Sequence, residues 1–388
     1  MKKALEILCG LMLVVFPIWG PGASFFMILS GLLSVYILIQ NRSAFDWKLW
    51  MPFVAYIAIY AFGILWSDNV DLGIAAVRVR LGMIVLPLIA MAAVHVGISR
   101  RGLWSATALG FLVSMVFMGV DVVSHVLDGE SFRDSIDGSQ LCLPYAHRAY
   151  FMNYLMVVLL GWLFVYKEMP KWYSWLFYSF VIAVFWTLQG RMNIVAMMGV
   201  YALALLYAIL KKQNRVLFGS VVGIAIPLLM LITNAVPNRF NPDGIESELA
   251  LPEDDAAPTS VARTYVWLSG IEVYKRNPIL GVGSGDMHQE LNAYFEETGY
   301  TFGLERNYNT HNDYIQTLMT LGPIGLLLLL LLFVRPLWKA WKSVDMLLVL
   351  WLLYFGVVMM SESYFDRFAG VFLFASVTSF LWATTKRA

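Results

Sequence analysis

Long apolar runs separated by short polar segments make up most of the chain. Twelve of these runs approach the ~20 mostly apolar residues that a membrane-spanning helix needs. They cover about residues 4–20, 23–40, 49–66, 82–97, 103–126, 149–166, 173–189, 192–210, 216–234, 313–334, 344–360 and 367–384. Glycine or proline marks several of the turns between them, at 20–22, 167–171, Gly190 and Arg335-Pro336. The pattern predicts an all-α integral membrane protein with about twelve transmembrane helices, forming a single multi-pass domain over residues 1–388.

The composition agrees with a membrane protein. Hydrophobic residues make up 60% of the chain and charged residues only 14%, whereas a soluble domain carries roughly 25% charged residues. The net charge of +1 gives no reason to expect a nucleic-acid partner. Cys9 and Cys142 provide no disulfide framework. The apolar pattern after Lys2-Lys3 continues without a convincing small-residue cleavage site, so we interpret it as the first span and not as a signal peptide.

The basic residues divide between alternate loops. One set of short segments holds 16 of the 27 basic residues and few acids, which is typical of cytoplasmic loops. Both termini are then predicted to be cytoplasmic. The opposite, outer set contains ten arginines and a single lysine. Orientation requires only positive charge, whereas a planar guanidinium binds phosphate or carboxylate in two places. The bias indicates an anion site, and pairing with the acids of the same loops is the alternative explanation.

Three outer segments are long enough to have structure of their own. Residues 67–81 are expected to form a short interfacial helix, and residues 127–148 are polar. The largest segment, 235–312 between spans nine and ten, begins with an irregular acidic part and continues with helical spacing over 262–276. A glycine-rich turn and a second helix over about 286–297 follow, so we expect a helical lid. The turn lacks the lysine and the strand–helix context of a phosphate loop, which favours a tight packing turn.

His311 is the strongest candidate for chemistry. It precedes the tenth span in the polar sequence Asn309-Thr310-His311-Asn312-Asp313. We expect Thr310 to be the N-cap, with Asp313 completing a weak capping box, so that His311 falls in the first helical turn. Partial positive charge there favours the neutral imidazole, which can accept a proton. The alternative is a histidine that only bonds the loop backbone and caps the span.

Several arginines and acids surround this position in the predicted topology. Arg191 lies between two spans with almost no loop, where a charge is costly unless it is paired or faces an aqueous cavity. A lipid pyrophosphate would be a suitable partner, and snorkelling to the headgroups is the alternative. Arg263 opens the lid helix, either above the same site or as a solvated helix end. The further candidate substrate-binding residues are Arg78, Arg80, Arg148, Asn312, Glu362 and Asp366.

Missing motifs narrow the chemistry. The chain has no Asp-x-Asp pair near a membrane end, no His/Cys cluster with metal spacing and no Gly-x-Ser-x-Gly. A metal-dependent glycosyltransferase and a serine hydrolase are therefore poorly supported, and we predict neither a metal site nor a cofactor. A membrane transporter, which is not an enzyme of this kind, is the alternative class of function. It would more naturally show broken helices or charges near the bilayer midplane, whereas most charges here lie at the outer ends.

Three segments resemble the O-antigen ligase and polymerase superfamily. They are residues 310–318 followed by Leu321-Gly322-Pro323-Ile324-Gly325, residues 263–267 followed by Asn277-Pro278-Ile279-Leu280-Gly281-Val282-Gly283, and Gly190-Arg191 ahead of the large loop. The resemblance is strongest over residues 170–335, and the layout of spans extends it to the whole chain.

The resemblance implies a GT-C-like glycosyltransferase architecture. The superfamily includes ligases that move O-antigen from undecaprenyl pyrophosphate to lipid A–core, polymerases that extend the lipid-linked glycan, and oligosaccharyltransferases that glycosylate pilin-type proteins. The compact size and the set Arg191, Arg263 and His311 look most like a ligase of the bacterial inner membrane, with polymerase and protein oligosaccharyltransferase as alternatives. His311 would then be the base, the arginines would hold the pyrophosphate without a metal, and the anomeric centre would invert. The partners would be the undecaprenyl-pyrophosphate-linked glycan, lipid A–core and membrane lipids.

Overall fold

The computed structural model describes residues 1–129, 148–165, 171–187, 191–232 and 259–385. Sixteen α-helices and no strands are found in these ranges, which confirms the all-α prediction. The helices are α1 Lys2–Val15, α2 Gly20–Gln40, α3 Trp47–Phe62, α4 Val70–Arg80, α5 Gly82–His95, α6 Arg100–Leu127, α7 Arg148–Val165, α8 Trp172–Thr187, α9 Arg191–Lys211, α10 Asn214–Ile232, α11 Thr259–Arg276, α12 Met287–Thr298, α13 Thr301–Glu305, α14 Asp313–Ser343, α15 Met346–Val358 and α16 Phe368–Thr384.

Each of the twelve predicted spans falls on one of these helices. Among the described residues, six helices are long and apolar enough to cross a bilayer, and five shorter apolar helices accompany them. The short α4 and the lid helices α11 and α12 also lie where the sequence predicts them. The protein is therefore a multi-pass membrane protein. Most of the 127–148 segment, Gly190 and the acidic part of the large loop lie outside the described residues.

The bundle is built around α15, which is apolar on every face, and α16, which is mostly apolar and largely buried. Trp351, Phe355 and Phe374 are buried in its centre, and the rings of Phe355 and Phe374 lie 5.0 Å apart. Peripheral helices instead expose apolar side chains outward, such as Leu32 on α2 and Val116 on α6. A helix that is hydrophobic all round belongs in the interior, and exposed apolar faces at the periphery suit contact with lipid.

Ion pairs are found at both ends of the bundle. We call the end that carries the turn 359–367 and the start of α14 the site end. At the opposite end, Arg100 pairs with Asp345 and the Lys339 ammonium donates to the Trp382 carbonyl oxygen at 2.8 Å. That this lysine-rich end faces the cytoplasm stays a prediction.

The predicted turn at Arg335-Pro336 was wrong. Helix α14 continues through Pro336 to Ser343, beyond the predicted limit of residue 334. Proline removes one helical hydrogen bond without necessarily ending the helix. The Arg335 guanidinium lies 5.4 Å from the Trp47 ring. A basic side chain can pack its apolar stem on such a surface while its charge stays in water, so the helix can continue beyond its apolar part.

Helix α14 is broken internally at Gly322, whose φ of 64° and ψ of −166° are not helical. The next residue, Pro323, has no backbone N–H. The carbonyl oxygen of Met319 therefore loses the donor that an unbroken helix would provide. In a membrane bundle such a backbone group must find another partner within the protein.

The glycine-rich turn 277–285 supplies those partners. The N–H groups of Val282 and Gly283 donate to the carbonyl oxygens of residues 319 and 320, each at 2.9 Å. A Cβ atom on Gly281 would lie 2.5 Å from the backbone of α14, and one on Gly322 would lie 2.2 Å from the carbonyl oxygen of Ile279. The prediction of a tight packing turn is confirmed, and both glycines are required by close backbone approach as well as by their positive φ.

The described part of the lid, residues 259–308, has an apolar core of its own. Val266 and Val273 of α11 pack with Leu291 and Phe295 of α12, and Met319 of α14 belongs to the same cluster. Gly270 of α11 also approaches α14 closely. The lid is therefore anchored on α14, next to the residues that precede this helix.

Candidate functional site

The segment that precedes α14 and the turn 359–367 between α15 and α16 are joined by hydrogen bonds. The backbone N–H of Asp313 donates to the carbonyl oxygen of Met359 at 3.0 Å. In return, the buried carboxylate of Asp313 accepts from the backbone N–H of Phe365, with its two oxygens at 3.2 and 3.3 Å. The side chain of Asn312 donates to the carbonyl oxygen of Met360 at 3.1 Å. These bonds hold the two segments together at the site end.

Asn312, and not Thr310, is the N-cap of α14. Its side-chain oxygen accepts from the backbone N–H groups of Tyr314 and Ile315 at 3.0 and 3.1 Å. The prediction of Thr310 as the cap was wrong because asparagine is at least as good a cap and stands closer to the apolar helix. The Thr310 hydroxyl is buried and donates to the Asn312 carbonyl oxygen at 3.0 Å.

His311 consequently lies before the cap and not in the first helical turn, which corrects the second part of that prediction. Its φ of 46° is in the left-handed region, and its backbone N–H donates to the Asn309 side-chain oxygen at 3.0 Å. Such a conformation is uncommon outside glycine and persists where the surroundings enforce it.

The main partner of the His311 ring is Glu362. Nδ1 of His311 lies 3.3 Å from Oε2 of Glu362, and the Tyr308 ring meets the imidazole edge-on at 5.2 Å. The His311 side chain is 26% exposed and that of Glu362 10%. When the carboxylate accepts the Nδ1 proton, Nε2 keeps its lone pair. The pair can therefore take a proton from a hydroxyl group at the surface of the site.

Arg80 and Asp366 form a buried ion pair beneath this surface. Arg80 is 2% exposed, and its guanidinium lies 2.9 Å from Oδ1 of Asp366 and 3.1 Å from the Tyr60 hydroxyl. The same guanidinium stacks over the Tyr60 ring at 3.7 Å. The second oxygen of Asp366 accepts from Asn309 at 3.2 Å and from Gln316. Arg80 and Asp366, both predicted to bind substrate, thus bind each other.

Gln316 connects this ion pair to the histidine. Its amide nitrogen donates to Asp366, and its oxygen accepts from the hydroxyls of Ser363 at 2.6 Å and of Thr310 at 3.2 Å. The backbone N–H of Ser363 donates to Glu362 at 3.3 Å. The sequence interpretation missed Gln316, although it stands four residues after Asn312 at the start of a long apolar run, on the same helical face.

A second buried network lies under the starts of α7 and α9, whose first residues are Arg148 and Arg191. The Asn193 amide donates to the Asn153 side-chain oxygen and to the Tyr354 hydroxyl, both at 2.9 Å, and Tyr354 donates to Asn153 at 3.0 Å. These bonds tie the beginning of α9 to α7 and α15. Asn193 was also missed, although it is a polar residue that follows Arg191 by two positions.

Arg263 and Arg78 lie on helices next to the polar network. Arg263 is half-buried near the start of α11, and Arg78 is exposed on α4, two residues before Arg80. Among the described residues neither forms an ion pair. The structure therefore joins His311, Asn312, Glu362, Arg80 and Asp366 in one network and places the four other predicted arginines on helices α4, α7, α9 and α11.

The fold and this network define a class of protein: a multi-pass helical membrane protein with a polar, histidine-containing site at one end of the bundle. Residues 175–330 match the family model described as O-Antigen ligase. The matched region runs from α8 into α14 and includes Arg191, Arg263 and His311. This match supports membership of the chain in the O-antigen ligase and polymerase family. Members of this family are glycosyltransferase-like enzymes that act on lipid-linked sugars. No curated protein matches the chain.

Proposed function

We propose that the protein is an O-antigen ligase. It transfers a glycan from undecaprenyl pyrophosphate to a sugar hydroxyl of lipid A–core at the periplasmic face of the bacterial inner membrane. The observation that carries the proposal is the partly exposed His311–Glu362 pair, because it offers a general base within the region that matches the family. The family itself accounts for the lipid-linked glycan as donor.

The pair performs the proton transfer. Glu362 accepts the Nδ1–H of His311 and orients the ring, so that Nε2 removes the proton from the acceptor hydroxyl. The acceptor oxygen then bonds to the anomeric carbon while the bond from that carbon to the pyrophosphate oxygen breaks. A single displacement inverts the anomeric centre. The neighbouring phenol of Tyr364 is unsuited to this role because burial raises its pKa above the ordinary value.

Fixed positive charge stabilises the leaving pyrophosphate. Arg191 and Arg263, with Arg78 and Arg148, are the proposed contacts, since a guanidinium binds phosphate oxygens in pairs and needs no reorganisation during the reaction. Pyrophosphate is a good leaving group, so these charges replace a metal ion in the proposal.

Three of the residues predicted to bind substrate receive a supporting role instead. Arg80 and Asp366 are paired beneath the surface, and both groups of the Asn312 amide are occupied by backbone partners. They position the segment and the turn that carry His311 and Glu362.

Reconstitution tests the proposal. Purified protein, undecaprenyl-pyrophosphate-linked glycan and lipid A–core are mixed without added metal, and the products are separated on a gel that resolves lipopolysaccharide. Loss of a general base lowers rates by ~10²–10⁴-fold, so we expect His311→Ala to lower transfer by at least about a hundredfold. His125→Ala is the matched control, since His125 on α6 lies outside the network, 3.9 Å from Asp121.

The products distinguish the alternatives. Near-normal transfer by a folded His311→Ala protein would exclude His311 as the base. A longer lipid-linked glycan, with no glycan transferred to lipid A–core, would identify a polymerase. Translocation of the lipid-linked glycan without a new glycosidic bond would identify a transporter.

A further inference from the structure

A cavity of about 550 Å³ opens at the site end between the α1–α2 turn, the start of α7 and the start of α16. We call it the α7 cleft. Its volume falls within the range of ~300–1,000 Å³ that is typical of ligand pockets. Its walls are largely apolar, and the residues that matter here are Phe16, Pro17, Gly20, Tyr150, Phe151 and Phe368.

Among the described residues that line this largely apolar cleft, Arg367 is the cation. Arg367 is exposed, and its guanidinium lies 5.9 Å from the Tyr150 ring. In the described ranges it forms no ion pair. An apolar cleft with a guanidinium at its edge has the chemistry of a phosphorylated lipid, whose chain leaves water while its phosphate meets a planar cation.

The cleft borders the catalytic network directly. Tyr150, which forms part of its wall, donates its hydroxyl to the carbonyl oxygen of Ser363 at 3.4 Å. Ser363 follows Glu362, the partner of His311, and Arg367 ends the same turn. A phosphate at Arg367 would therefore lie on the turn that holds the proposed base.

Two of the proposed pyrophosphate contacts begin helices at the same place. Arg148 starts α7, two residues before Tyr150. Asn153, one turn further along α7, bonds Asn193 of α9 at 2.9 Å, and Asn193 follows Arg191 by two residues. The starts of both helices are thus tied together beside the cleft.

We propose that the α7 cleft binds the polyprenyl chain of the lipid-linked donor and that Arg367 is an additional contact to its phosphates. The identity of the donor rests on the proposed function. One cavity suits a single chain, whereas a lipid A molecule with several acyl chains would need a broader surface. The phosphates at the edge of the cleft are also those of the leaving group, which must lie near His311.

Filling the cleft tests the proposal. A Cβ atom on Gly20 would meet no atom within 4 Å, so Gly20→Phe places a ring in the cleft without a clash at its base. Gly119→Phe is the matched control, because Gly119 on α6 is exposed and has the same open surroundings. Binding of glycan-free undecaprenyl pyrophosphate to detergent-purified protein is measured by native mass spectrometry, with phosphatidylglycerol and lipid A as competitors.

We expect Gly20→Phe to weaken binding of undecaprenyl pyrophosphate at least tenfold and Gly119→Phe to bind like the wild type. Loss of one charge-assisted hydrogen bond corresponds to about tenfold in affinity, which is the effect expected for Arg367→Gln. Arg276→Gln is its control, since this exposed arginine of α11 pairs with Glu297, away from the cleft.

Several results would overturn the proposal. They are wild-type protein that binds no undecaprenyl pyrophosphate, a folded Gly20→Phe protein that binds it normally, and equal displacement by lipid A or phosphatidylglycerol. The binding measurement requires neither acceptor nor transfer. Binding that depends on the cleft in a protein without transferase activity would therefore reject the ligase alone, and transfer with binding unaffected by Gly20→Phe would reject the cleft alone.

Discussion

Asp366→Asn removes one partner of the buried ion pair and leaves the charge of Arg80 inside the protein. The two side chains are 3% and 18% exposed, and removal of one member of a buried pair costs about 3–5 kcal/mol. Asparagine can still accept one of the hydrogen bonds that Asp366 receives from Arg80, Asn309 and Gln316. We therefore expect Asp366→Asn to lower the free energy of unfolding by about 3 kcal/mol, near the lower limit of this range.

The double variant Arg80→Gln/Asp366→Asn separates charge from packing. It removes the unpaired charge, so we expect it to regain most of the lost stability, since replacing both members of a buried pair is often nearly neutral. Unfolding in mixed detergent micelles, analysed as a double-mutant cycle, measures the coupling. Arg276→Gln, which breaks an exposed pair with Glu297, is the control and should leave unfolding unchanged.

We expect transfer activity to fall in Asp366→Asn and to recover in the double variant, as stability does. The reason is that the ion pair supports Gln316 and thereby the turn that holds Glu362. Two results would refute this reasoning. One is a loss below about 1 kcal/mol in Asp366→Asn, the size of an exposed pair. The other is a double variant whose free energy of unfolding falls by the sum of the decreases in the two single variants. Such additivity would show that the two groups do not interact.

Three further outcomes follow from the geometry. Glu362→Gln, which keeps the size of the side chain but loses its charge, should lower kcat at least tenfold with little change in KM, and equal kcat would remove Glu362 from the proton transfer. Gly322→Ala should destabilise the protein by ~1–3 kcal/mol, the cost of holding another residue in a backbone conformation that essentially only glycine adopts. Gly199→Ala, in open space on α9, is the control, and equal melting temperatures of the two variants would contradict the packing turn. Asn193→Ala should lower the free energy of unfolding by ~1–3 kcal/mol, because it leaves buried polar groups unpaired. It should also raise the KM for the donor, and an unchanged KM would show that this network does not position the start of α9 for donor binding.

Hydrophobicity and helical spacing are local properties, and the features that depend on them could be predicted from the sequence. The spans over 23–40 and 192–210, the lid helix over 262–276 and the packing turn near Gly281 all lie where the pattern places them. His311 also stood out locally, since it lies in a dense polar patch before an apolar run. An apolar segment leaves water for the bilayer or the protein interior whichever helices it later packs against.

The pairing of side chains was decided by the tertiary structure. Arg80 meets Asp366 across 286 residues, and His311 meets Glu362 across 51. No local pattern distinguishes a substrate-binding arginine from one that neutralises a buried acid. The cap was misassigned for a related reason: Thr310 and Asn312 are both suitable caps, and the bonds from Asn312 to residue 360 and from Thr310 to Gln316 show which role each takes. The charge and hydrogen-bonding capacity of each side chain follow from its residue type, but its partner depends on which helices pack together.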